Sequence, residues 1–124
     1  MQLMWQPDES PRAITGVDGQ RVRMGATWQT RSFWVDARQS HPWVPGRLED
    51  IAEGDLTQLL DAGPEVILLG TGLRARLLAP ALQAGILRRG CGIECMDNAA
   101  AARTYNVLLG EGRAVLAAFL IDAD

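Results

Sequence analysis

From Glu65 to Leu69 the chain reads Glu-Val-Ile-Leu-Leu with no polar alternation, the pattern of a strand covered on both faces. It stops at Gly70-Thr71-Gly72. Pro80 suits the first turn of a helix running to about Arg89, where Leu82, Ile86 and Leu87 form an apolar stripe and Gly90 ends it. Gly92 to Met96 reads as a second strand, Ala99 to Leu109 as a helix capped by Asp97 or Asn98, and Arg113 to Ile121 as a last strand. This alternation predicts a β-α-β-α-β unit with largely parallel pairing and right-handed crossovers.

The first half has a different rhythm. Ala13–Val17 and Gln20–Met24 flank Asp18-Gly19, the strongest short hairpin signal. A further strand is expected from Thr27 to Val35, where Trp28, Thr30, Ser32 and Trp34 alternate with Gln29, Arg31 and Phe33. Pro42, Pro45 and Gly46 mark Asp36–Gly46 as a crossing loop. Leu56, Leu59 and Leu60 predict a helix from about Asp55 to Ala62, stopped by Gly63-Pro64. At 124 residues the antiparallel meander and the β-α-β-α-β unit are expected to share one core, so residues 1–124 read as a single domain of the α/β class.

Composition narrows the functional classes. Net charge is −3 and all twelve basic residues are Arg, which gives no general attraction to a phosphate backbone and removes lysine chemistry. Nucleic acid is therefore not an expected partner. No apolar run approaches the roughly 18 residues of a spanning helix, so no membrane insertion is expected. Met1–Gln6 lacks the layout of a secretory signal, and a cytoplasmic location is expected. Cys91 and Cys95, four residues apart in a strand, lie too far apart for a disulfide and read as separate thiols. The lone His41 is remote in sequence, so neither a metal site nor a cofactor is expected. His41 has no nucleophile beside it and reads as a loop histidine.

If the strands ending at Leu69 and Met96 are neighbours, Gly70, Thr71, Gly72, Asp97 and Asn98 meet at the carboxyl edge of the sheet, where open α/β folds hold ligands. The glycines permit close approach, Thr71 supplies a hydroxyl, and the helix after Asn98 brings free N–H groups and a partial positive charge. Arg103, Thr104 and Asn106 are unusual in a helix of alanines and leucines and complete the candidate binding edge. Turn glycines and an N-cap aspartate account for the first five residues more simply than a binding site does. Ala75 stands where a third dinucleotide-binding glycine would fall, so Gly-Thr-Gly carries no nucleotide assignment. No catalytic residue is assigned, because no nucleophile with an adjacent base and no paired carboxylates emerge. An enzyme or small-molecule binder using this edge, with Asp97 as acid or base, is the alternative to a protein-binding module. The tryptophans Trp5, Trp28, Trp34 and Trp43 serve either as core or as oligomer contacts.

The strings Leu68-Leu69-Gly70-Thr71-Gly72, Gly92-Ile93-Glu94-Cys95-Met96-Asp97, Arg103-Thr104-Tyr105-Asn106-Val107-Leu108 and Glu111-Gly112-Arg113 resemble the family of mitochondrial complex I assembly factor 3 and its bacterial and archaeal homologues. The resemblance covers roughly Ile14 to Leu120, and departs at Asn98, where the family commonly has Thr. It implies a three-layer fold with a mixed central sheet and extra strands packed on it. It also implies a protein partner in the assembly of a membrane or respiratory complex, without catalysis.

Overall fold

The computed structural model describes residues 10–122, so Met1–Gln6 and Trp5 lie outside the described residues. The elements are β1 (Ile14–Asp18), β2 (Arg21–Met24), β3 (Thr27–Gln29), β4 (Phe33–Val35), β5 (Ser40–Pro42), a 3-10 turn (Leu48–Asp50), α1 (Glu53–Leu60), β6 (Val66–Gly70), α2 (Pro80–Arg88), β7 (Gly92–Met96), α3 (Asn98–Gly110) and β8 (Val115–Phe119). They form a three-stranded antiparallel sheet, β1-β2-β3, and a five-stranded mixed sheet in the order β5-β4-β8-β6-β7. β6 runs parallel to both β7 and β8, as the apolar runs predict, whereas β4 joins β8 antiparallel.

The central sheet is coated on both faces. Ile67, Leu69, Leu116, Ala118 and Trp34 pack with Leu56 and Leu59 of α1 and Ile86 of α2. The alternate residues Leu68, Val115, Ala117, Phe119, Phe33 and Val35 pack with α3 and with Ile14 and Val22 of the small sheet. This is the expected α/β architecture: three layers, a mixed central sheet, and the antiparallel strands docked on one face. Ala117 shares the core with Tyr105 and Ala118 with Trp34, so the small side chains of β8 leave room for the bulk on each side.

Three details differ from the expected elements. The strand expected over Thr27–Val35 is divided, because Ser32 leaves the small sheet and binds the end of β8. Its hydroxyl accepts from Ile121 N at 2.8 Å and faces Ile121 O at 3.3 Å. Trp34 and Phe33 then pair with the central sheet, where Phe33 stacks on Phe119 at 5.2 Å. Within the expected loop, Ser40–Pro42 forms the edge strand β5, and His41 lies tilted against Trp34. Finally, α1 begins two residues early. Asp55 sits at its third position and accepts from Ala52 N at 2.9 Å, while Glu53 and Asp55 put negative charge at the helix's positive end.

The two sheets share no strand pairing; α3 joins them. Asn106 accepts from Ile14 N at 3.0 Å and donates to Ile14 O at 2.8 Å, and the fully buried Tyr105 donates to Arg12 O at 3.0 Å. Burial pushes the Tyr105 hydroxyl well above the ordinary tyrosine range, and the Asp36 carboxylate adds to the shift against an opposing pull from Arg12. The folded state therefore holds the Tyr105 proton more tightly than the unfolded chain does. The stability this gives is complete below the ordinary value of about 10 and is lost as pH rises beyond it. Because Tyr105 is the single tyrosine, absorbance at 295 nm should show no tyrosinate in native protein until unfolding begins, and Tyr105→Phe should flatten the decline in stability above about pH 10. Cys91, whose thiol burial also pushes up, should contribute to the decline left in that variant.

Candidate functional site

The carboxyl ends of β6 and β8 meet the start of α3, and Asn98 ties the three together. This side chain is buried; its Oδ1 accepts from Gly72 N at 3.1 Å, and its Nδ2 donates to Leu120 O at 3.1 Å. Asn98 N donates to Gly72 O at 2.8 Å, and Leu120 N to Gly70 O at 2.9 Å. Gly70 makes the knot possible, because a Cβ there would run into Asn98 Oδ1 and would meet Phe119 Cδ1 at 3.0 Å. Gly72 has φ +98°, a backbone turn that other residues rarely adopt.

Thr71 organises the loop beyond. Its hydroxyl lies 2.6 Å from Arg74 O and 3.2 Å from Met96 O, and accepts from Arg76 N at 3.0 Å. One hydroxyl carries a single hydrogen, so the shorter contact, to Arg74 O, is the main donated bond. Asp97 caps α3 by accepting from Ala100 N at 2.7 Å. The sequence-predicted residues Gly70, Thr71, Gly72, Asp97 and Asn98 are thus brought together, and their polar groups are engaged with one another and with their own loops. Arg103, Thr104 and Asn106 lie further along α3. Arg103 is exposed, Thr104 donates to Ala100 O within the helix at 2.9 Å, and Asn106 holds β1.

Beside this knot lies an open cleft of about 690 Å³. Thr71–Arg76, Gly46–Glu49 and Leu120–Asp122 line it. Arg76 meets Glu49 at 2.9 Å and Arg47 meets Asp122 at 3.1 Å, both at exposed positions. The Arg76 guanidinium holds the Glu49 carboxyl below the usual range, helped by Glu49's own backbone and by Arg47. Sequence reasoning missed Arg47, Glu49, Arg74 and Arg76. The usable signal was the late helix start at Pro80, which leaves a long irregular segment after Gly70 to line something. Among the described residues no three or more His, Cys, Asp or Glu side chains gather as a metal site, and no helix is long and apolar enough to cross a membrane. Cys91 is a buried free thiol and Cys95 a half-buried one.

Residues 14–120 match the protein family of unknown function DUF498/DUF598. The chain belongs to that family. Among curated proteins it is similar to NADH dehydrogenase [ubiquinone] 1 alpha subcomplex assembly factor 3 of Bos taurus, 34% identical over 80 residues that cover 63% of this chain and 44% of the bovine protein. The Homo sapiens protein of the same name is also 34% identical over 80 residues, covering 63% of this chain and 44% of its own length. The chain thus aligns with less than half the length of these relatives. Among solved structures, the Xanthomonas campestris protein XCC1710 superposes with a TM-score of 0.83 at 36% identity, covering 90% of this chain and 85% of that one. A Bordetella pertussis protein described as a Mth938-like domain gives a TM-score of 0.81 at 29% identity, covering 100% and 94%. The resemblance to the assembly-factor family and its bacterial homologues is borne out.

Asn98→Ala should destabilise this DUF498/DUF598 chain by about 2–4 kcal/mol, because a buried N–H and a buried C=O both lose their partner. Asn98→Thr should cost less, since its hydroxyl can replace one of the two bonds. Urea denaturation of both variants measures the difference.

Proposed function

We propose that the chain is a non-enzymatic protein-binding module that assists the assembly of a larger complex, and that it works in the cytoplasm. The observation that carries this reading is the state of the polar groups around the cleft. Thr71 and Asn98 are committed to backbone partners and Asp97 to its helix cap, so the groups placed to act as nucleophile or base serve the fold. The remaining charge at the cleft is arginine and carboxylate on exposed loops, suited to recognition of a surface. The relatives named as complex I assembly factors support extending an assembly role to this chain. No cofactor enters this reading, and self-association through the described tryptophans has little support: Trp34 and Trp43 are buried, and Trp28 lies under Arg21 at 4.1 Å.

The tagged protein, purified from its own cells in mild detergent, should co-elute with subunits of a respiratory or other membrane complex, identified by mass spectrometry. Asp97→Asn, which keeps a capping oxygen, should leave that co-elution unchanged. A clean protein carrying a bound small molecule, or turnover abolished by Asp97→Asn, would assign the cleft to a metabolite instead.

A further inference from the structure

Fifteen acidic residues are spread along the chain, yet none lies between Glu65 and Glu94, where Arg74, Arg76, Arg88 and Arg89 fall. A segment with a formal charge of +4 is thus set in a chain of net charge −3; Glu49 pairs with its Arg76 and Asp61 lies 3.8 Å from its Arg89, which leaves the charge nearest the cleft at Arg74. The same segment exposes leucines. Leu73 is 74% and Leu77 78% accessible, among the most exposed large apolar side chains of the described residues. Both belong to the loop that Thr71 organises beside the cleft, and between them stands Arg74, whose side chain makes no hydrogen bond or ion pair among the described residues. The backbone N–H and C=O groups of Ala75 and Leu77 also have no hydrogen-bond partner among the described residues. Exposed leucine, uncommitted guanidinium and unused peptide groups on one short loop are what a partner's chain would cover.

We propose that the Leu73–Leu77 loop is the docking edge for an acidic, leucine-bearing segment of a partner protein. This rests on the assembly reading and names the partner's chemistry. The partner's carboxylates meet Arg74, in the paired geometry a guanidinium favours, and its apolar side chains cover Leu73 and Leu77. Charge also selects a peptide over an anionic lipid surface. Around the cleft Arg76 is paired with Glu49 and Arg47 with Asp122, so the charge left for a partner is the single point at Arg74, which a peptide carboxylate can match and a continuous anionic surface would not need.

The test places a photo-crosslinking amino acid at Leu77 in the full tagged chain in its own cells, with the same group at Val107, 56% exposed on α3, as the control position. Crosslinked partner peptides should come from the Leu77 position, carry net negative charge with leucine or a similar residue, and drop at least fivefold when Arg74→Glu is added. The synthetic peptide of that sequence should bind the purified chain, weaken with added salt, and bind at least tenfold more weakly to Arg74→Glu and to Leu73→Ser with Leu77→Ser. Because these side chains are exposed, thermal melting should be unchanged. Neutral or basic crosslinked segments, equal crosslinking at Val107, indifference to Arg74→Glu, or Arg74-dependent pelleting with phosphatidylglycerol vesicles in place of peptide binding would overturn the proposal. If complex subunits still co-elute with the Leu73→Ser, Arg74→Glu, Leu77→Ser protein, the docking edge is wrong while the assembly reading stands; if none co-elute with the unaltered chain, the assembly reading itself falls.

Discussion

The side chain of Asn98 is the constraint on which the working end of this molecule depends. Two neighbouring parallel strands, β6 and β8, end side by side, and the chain leaves them in different directions. At such a place the backbone groups just beyond the ladder have no partner in the sheet. Asn98 answers one group from each strand's extension, donating to Leu120 and accepting from Gly72. The position of α3 is fixed by the same act, because Asn98 is its first residue. The absent Cβ of Gly70 is the steric condition for all of it. With Gly72 held, Thr71 turns the loop back through Arg74 and Arg76, and the cleft acquires a wall. Features that resemble a ligand site in one dimension also, in three, fasten that wall.

What could be read from the sequence follows from the range of the interactions involved. The continuous apolar run of β6, the glycine and proline punctuation around α2, and the Asp97 cap are local signals, and each element lies where its own residues direct it. Division of the 27–35 segment was not legible, because it is decided by a hydroxyl meeting a backbone 89 residues away. Asn106 reads as a poor helix former and a candidate binding residue, since its partners, at a separation of 92, belong to another sheet. The carboxyl edge was legible as a place. The Gly46–Glu49 lining of the cleft was not, because Arg47 and Glu49 come from a loop and a short 3-10 turn with no periodic signal.

The split between these two kinds of residue also separates fold from function. A likeness to bacterial structures at TM-scores above 0.8 concerns the arrangement of the layers. Such a scaffold does not specify a partner. Specificity belongs to side chains on exposed loops that the scaffold holds in place, and the loop after β6 is held at its base by Asn98 and at its turn by Thr71. A recognition element restrained in this way pays less ordering entropy on binding than a free loop of the same sequence.

Asn106 has a consequence beyond fastening two layers. β1 lies at one side of the small sheet, and an outer strand presents N–H and C=O groups that invite another chain to extend the sheet. A primary amide offers the same donor and acceptor as a peptide unit, and Asn106 presents both to Ile14. One side chain of α3 thus stands in for the peptide of a missing fourth strand and covers that point of the sheet's edge with the molecule's own amide.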